Sequence, residues 1–169
     1  APHFRRATGR FRAFFRVQEK ETGIVISMKR LRIYLDTSVV NFLYADDAPD
    51  FRRVTEEFFS VYAIKNDLYG SDVLLRELSR DPDSERRNRH MEVLGEHDVA
   101  ILPTNRNVEI SRLADAYMKH GIVPVKKRDH ALHVAYATVF EMDVLLSWNF
   151  KHLANIRREA RFAVVNQAE

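Results

Sequence analysis

From Arg30 onward the chain alternates short apolar β runs with helical segments, and this order points to helices packed over a largely parallel sheet. Leu31–Leu35 reads as a strand ending at Asp36, and a helix over Val39–Tyr44 follows. Phe51–Asn66 has helical spacing through Val54, Phe58, Val61 and Tyr62. Leu68–Val73 is a second strand, leading into a short helix over Leu74–Arg80 that stops at Asp81-Pro82. Ser84–Glu96 is helical and Val99–Leu102 strand-like. Val108–His120 is a helix with Gly121 as its C′ residue. Arg128–Glu141 is apolar enough for a buried helix. Val144–Trp148 is a strand, Lys151–Arg158 a short helix, and Phe162–Val165 a final strand. Sheets of this kind gather their sites at the carboxyl ends of the strands. Two positions stand there: Asp36 after the first strand, and Asn149 after the strand that ends in Trp148.

A chain of 169 residues suits one domain, and 46% hydrophobic residues supply a core. No apolar run reaches the roughly 18 to 20 residues needed to span a bilayer, so no membrane partner is expected. Cysteine is absent, which removes thiolate metal sites and disulfides and suits a reducing cytoplasm. The net charge of +3 is unevenly spread. Residues 1–27 hold six Arg or Lys against Glu19 and Glu21, leaving 21 bases and 22 acids for residues 28–169. Any contact between that larger part and a polyanion must come from local patches.

The composition changes near Met28, so residues 1–27 read as a basic extension and residues 28–169 as the domain. The extension is either an accessory start-site or expression-derived segment, or a basic amphipathic helix. In the second case Phe4, Phe11, Phe14 and Phe15 share one side, suited to RNA or a partner.

Three acids have both an ordinary and a chemical reading. Asp36 sits between strand and helix, where it can cap the helix. Glu77, within an apolar helix turn beside Leu74, Leu75 and Leu78, can be a solvated helix residue. Asp129 opens an apolar helix, where it complements the helix dipole by only ~0.3–1 kcal/mol. Brought together, the three carboxylates would repel one another unless they held a hard divalent cation. Such an ion would activate water and offset charge building on a phosphate.

The motifs LDTSVVNFL, LLRELSRDP and DHALHVAYATVFEMDVLLSWNFKHL resemble those of PIN domains, and more narrowly the VapC-like branch with a WNFKH signature. The resemblance covers about residues 29–166. It implies a Rossmann-like three-layer α/β/α sandwich, metal-dependent endoribonuclease activity of toxin–antitoxin type, frequent homodimerisation and neutralisation by an antitoxin. By that likeness Asp36, Glu77 and Asp129 match the first three acids, which bind Mg²⁺ or Mn²⁺ and orient the attacking water.

Two departures stand out. The family's fourth acid commonly follows Ser or Thr by two residues, and here Ser147 is followed by Asn149, which offers a neutral carbonyl. Asp143 is a candidate to compensate, with Ser147 and Ser38 as further supporting residues. The third acid usually stands directly before Ala-Leu-His. Here His130 occupies that place, with Asp129 one step away, about 100° around a helix.

His130 and His133 have i,i+3 spacing, but the third protein ligand of a catalytic zinc site is not evident, and structural or hydrogen-bonding roles are expected for them. Trp148 and Phe150 read as packing residues. Lys126, Lys127 and Arg128 are either a solvated helix start or contacts for RNA phosphates. The leading function is a metal-dependent endoribonuclease in which Asp36, Glu77, Asp129 and Asn149 act. Its rival is a PIN-like module that binds RNA or an antitoxin without turnover. A haloacid-dehalogenase-like phosphotransferase would need a second Asp where Ser38 stands.

Overall fold

The computed structural model describes residues 14–15, 30–149, 162 and 164–166. Its sheet contains β1 (Phe14–Phe15), β2 (Arg32–Leu35), β3 (Asp67–Gly70), β4 (Ala100–Ile101) and β5 (Val144–Leu146), in the order β1-β5-β2-β3-β4. The last four strands run parallel, and β1 joins β5 antiparallel. The connecting helices are α1 (Thr37–Phe42), α2 (Pro49–Glu57), α3 (Asp72–Ser79), α4 (Ser84–Glu96), α5 (Asn107–Lys119) and α6 (Arg128–Val139).

Side chains alternate across a strand, and β2 shows how that builds the layers. Tyr34 points to one face, where it packs with Ile110, Leu113 and Tyr117 of α5 and Ala131, Ala135 and Tyr136 of α6. Ile33 and Leu35 point to the other, into a cluster with Val39, Phe58, Phe59, Leu68 and Val93. Both faces are therefore covered by helices, which explains why Ile33, Tyr34 and Leu35 follow one another without a polar residue between them. The result is the expected three-layer α/β/α sandwich around a mostly parallel sheet.

The strand expected over Leu68–Val73 ends at Gly70, and α3 begins already at Asp72; three further segments depart from the sequence reading. The helix expected over Phe51–Asn66 begins earlier, at Pro49, whose missing N–H is no loss in a first turn. It then widens into a π turn over Phe58–Tyr62 and tightens into a 3-10 turn over Ala63–Lys65. The wide turn lets the consecutive Phe58 and Phe59 both enter the core, their rings packed edge to face at 5.2 Å.

The expected final strand at Phe162–Val165 is helical at Phe162 and at residues 164–166. Phe162 and Val165 are buried while Val164 is exposed, an i,i+3 pattern that a strand would not produce. Phe162 packs edge to face on Tyr117 at 4.7 Å, so this segment covers α5 rather than extending the sheet.

At the front of the chain, Phe14 and Phe15 pair with Leu145 and Val144 as a short strand, not as part of an amphipathic helix. The remainder of residues 1–27, and the expected helix over Lys151–Arg158, lie outside the described residues. Gly121 has φ +63° immediately beyond α5, as its expected C′ role requires. Among the described residues, no helix is long and apolar enough to cross a membrane.

Candidate active site

Parallel pairing sets Leu35 beside Leu146, so β2 and β5 end together and release their chains into one region. The Asp36 amide donates to the Leu146 carbonyl at 2.9 Å, keeping the two exits side by side. Asp36 is also the N-cap of α1: its Oδ1 accepts from the Ser38 amide at 2.8 Å. Its Oδ2 accepts from Ser147 Oγ at 2.9 Å, and the Asn149 side-chain amide lies 3.4 and 3.5 Å from the two carboxylate oxygens. Ser38 Oγ accepts from the Trp148 amide at 2.9 Å, and Ser147 Oγ accepts from the Asn149 amide at 3.0 Å. The two serines thus tie both strand exits around a carboxylate that is 1% exposed.

Glu77 reaches the same region from α3. Its Oε2 accepts from Thr37 Oγ1 at 2.5 Å and lies 2.7 Å from Nε2 of His133, a fully buried residue of α6. The other ring nitrogen of His133 meets the Tyr34 hydroxyl at 2.8 Å, and that hydroxyl meets Ser71 Oγ at 2.6 Å. His133 therefore has the hydrogen-bonding role expected of it. The sequence reading missed that its partner is Glu77; the available signal was one imidazole inside the apolar run Ala131–Tyr136.

Burial disfavours charge on all three of these groups, yet the cluster overcomes it collectively. The hydrogen bond to Glu77 and the charges of Asp36 and Glu77 raise the His133 pKa above its ordinary 6.5. Burial would raise the Asp36 pKa, but the His133 charge, the Ser38 amide and the Ser147 hydroxyl bring it below 3.8. Glu77 likewise falls below 4.5, because its bond and charge pairing with His133 outweigh desolvation. Two carboxylates are held ionised.

They face one pocket of about 330 Å³, lined by Asp36, Thr37, Ser38, Asn41, Glu77, Arg80, His130 and Asn149. A depression of about 390 Å³ at the start of α5 lies against Arg106, Glu109 and Arg112 but shares none of these acids.

Asp129 is not among the lining residues. Its carboxylate is divided between Arg76 at 3.0 Å and Arg80 at 3.1 Å. Burial pushes its pKa up, but the two guanidinium groups bring it below 3.8. His130, one residue on, faces the pocket instead, and burial lowers its pKa. The helical phase explains the exchange, since neighbours on a helix diverge by about 100°.

Asp143 is also displaced from its suggested role. Its side chain accepts from the Arg32 amide at 2.8 Å and its own amide donates to the Arg32 carbonyl at 2.9 Å. It closes the sheet at the amino ends of β2 and β5, about 13 Å along the strand from Ser147 at roughly 3.3 Å per residue. Lys126, Lys127 and Arg128 are exposed around the start of α6, with Arg128 paired to Asp115. Trp148 packs against Phe51 and Phe42, and its indole N–H donates to Thr55 Oγ1 at 3.0 Å.

The three acids taken from the sequence do not form one ligand set. Among the described residues, no three His, Asp or Glu side chains are grouped so as to hold a metal ion. A smaller set fits: a Mg²⁺-like ion needs only one or two protein carboxylates and keeps its remaining positions for water and phosphate. Asp36 and Glu77, on one polar pocket, meet that requirement, and Asn149 lines the same pocket with its amide N–H turned toward Asp36. Comparison with protein-family models, curated proteins and solved structures found no match.

Proposed function

We propose that this chain is a metal-dependent endoribonuclease of toxin–antitoxin type, hydrolysing RNA phosphodiester bonds with metal-activated water. The carrying observation is the convergence of two ionised carboxylates, Asp36 and Glu77, on one pocket at the carboxyl ends of parallel strands. Asp36 and Glu77 would hold Mg²⁺ or Mn²⁺, with Asn149 at the rim. When bound, the ion supplies Lewis acidity toward water and phosphate oxygen.

The chain's own contribution is orientation. Ser38 and Ser147 fix both oxygens of Asp36, while Thr37 and His133 fix Glu77 from two directions. Such bonds leave little reorganisation for the moment of reaction. The toxin reading also carries a cytoplasmic location and two protein partners, an antitoxin and a second copy of the chain.

A second reading rests on a specific observation. Asn149 and His130 stand where the family resemblance expects acids, Asp129 is occupied by two arginines, and His133 compensates Glu77. Those features suit a module that binds RNA or an antitoxin without turnover.

Incubation of the purified chain with single-stranded RNA and Mn²⁺ separates the readings. Internal cleavage that stops on chelation and is lost in Asp36→Asn supports the enzyme. Asparagine is an N-cap as good as aspartate, so this variant keeps α1 intact. Mn²⁺ binding without cleavage across several RNAs supports the module.

A further inference from the structure

Arg76 and Arg80 are four residues apart and lie on one side of α3, Arg80 being its C-cap residue. Both reach the first turn of α6, where Asp129 binds Arg76 Nη2 through Oδ1 and Arg80 Nη1 through Oδ2. Arg76 has a second carboxylate, Asp72, 3.7 Å away, and the Tyr136 hydroxyl donates to Asp72 at 2.5 Å. A row of paired groups thus runs from the core at Tyr136 through Asp72, Arg76 and Asp129 to Arg80. Its last member forms part of the pocket wall shared with Asp36 and Glu77.

The Arg80 side chain is 61% exposed. A guanidinium presents five N–H donors in a planar fork, and one carboxylate oxygen does not exhaust them. An exposed ion pair of this kind is worth little by itself, so it does not prevent a phosphate from sharing the group. A guanidinium on the wall of a pocket that also holds Asp36 and Glu77 favours the approach of a polyanion. Arg76, flanked by two carboxylates, does not line the pocket.

We infer that Arg80 contacts a phosphate of the RNA backbone in this pocket, and that Asp129 is the positioning residue that holds its guanidinium there. The inference rests on the nuclease reading and names how the site takes its substrate. Asp129 acts on Arg80, not on the ion.

The test measures binding of a fluorescently labelled single-stranded RNA by anisotropy across a salt series, with EDTA present so that cleavage does not interfere. Arg80→Ala weakens binding for all RNA sequences alike and makes the slope of log K against log salt shallower by about 0.7, the value for one phosphate contact on a single strand. Arg80→Lys keeps the slope and loses part of the affinity. In an Asp129→Asn background the Arg80→Ala effect shrinks, a coupling that a purely structural Asp129 would not produce. Mn²⁺ affinity stays unchanged in Asp129→Asn.

An Arg80→Ala protein with wild-type affinity and slope overturns the phosphate contact. An Arg80→Ala effect that is undiminished in the Asp129→Asn background, or lost Mn²⁺ affinity in Asp129→Asn, overturns the positioning role. Where RNA binds only once Ca²⁺ replaces EDTA, the variants are compared in Ca²⁺; a wild-type chain that binds RNA in neither condition overturns both this inference and the nuclease reading, whereas failure in the variants alone leaves that reading standing.

Discussion

Glu77 and His133 meet at 2.7 Å although they come from helices on separate stretches of chain, and the imidazole is fully buried. This contact couples the candidate site to the core. On its far side His133 holds Tyr34 of β2, so the glutamate is anchored to the middle strand of the sheet.

Stability should therefore depend on pH in two opposite ways. The folded-state pKa of His133 is raised above 6.5, so its contribution is complete below that value and is lost as pH rises through the raised one. Asp36 and Glu77 are lowered from 3.8 and 4.5, so their contribution is present above those values and is lost as pH falls through the lowered ones. The thermal midpoint should be highest between the carboxylate and imidazole ranges. His133→Gln should flatten the alkaline decline. His133→Ala, which takes the charged partner from the partly buried Glu77 and one of the two partners from the Tyr34 hydroxyl, should cost about 3 kcal/mol in urea unfolding. An unchanged alkaline limb in His133→Gln would refute the charged pair.

Asn149 lies 3.4 and 3.5 Å from the two oxygens of Asp36 and is the neutral occupant of a place where an acid is expected by resemblance. Asn149→Asp replaces an amide donor with a like charge. Without divalent ions it should destabilise the fold by about 2 kcal/mol, because a buried carboxylate loses a donor and gains a repulsion. Added Mn²⁺ should restore the midpoint more in this variant than in the wild type. Equal Mn²⁺ responses in a thermal-shift titration would count against an ion at this position.

Gly70 ends β3 directly before Ser71, the residue that completes the Tyr34–His133 chain of hydrogen bonds. A Cβ there would stand 2.5 Å from Leu74 Cδ2 and 3.3 Å from Ile101 Cδ1. Leu74 is fully buried, so it has little room to withdraw. Gly70→Ala should lower stability by about 1–3 kcal/mol through overpacking, measured as a lower urea midpoint at unchanged slope.

The layers were legible because strand and helix periodicities differ, and because β2 and β5 are apolar enough to be buried on both faces. Asp36 was legible for the same reason: a strand that stops at Asp-Thr-Ser has both a cap and a site at its carboxyl end. The partners of the other acids were not. Sequence places Asp129 and His130 side by side, and only the packed orientation of α6 decides that the histidine faces the pocket while the aspartate meets Arg76 and Arg80. Asp143 shows the reverse case. Its position at the start of β5 was plain, and parallel pairing alone consigns it to the end of the sheet away from the site. The π turn at Phe58–Tyr62 had no local signature, because it serves the burial of two adjacent rings.

The most direct measurement is an anomalous difference map from a crystal soaked in Mn²⁺. The expected result is density in the pocket lined by Asp36 and Glu77, with Asp129 still bound to Arg76 and Arg80. A pocket without a peak at saturating Mn²⁺, or a peak ligated by Asp129 instead, would contradict the two-carboxylate site.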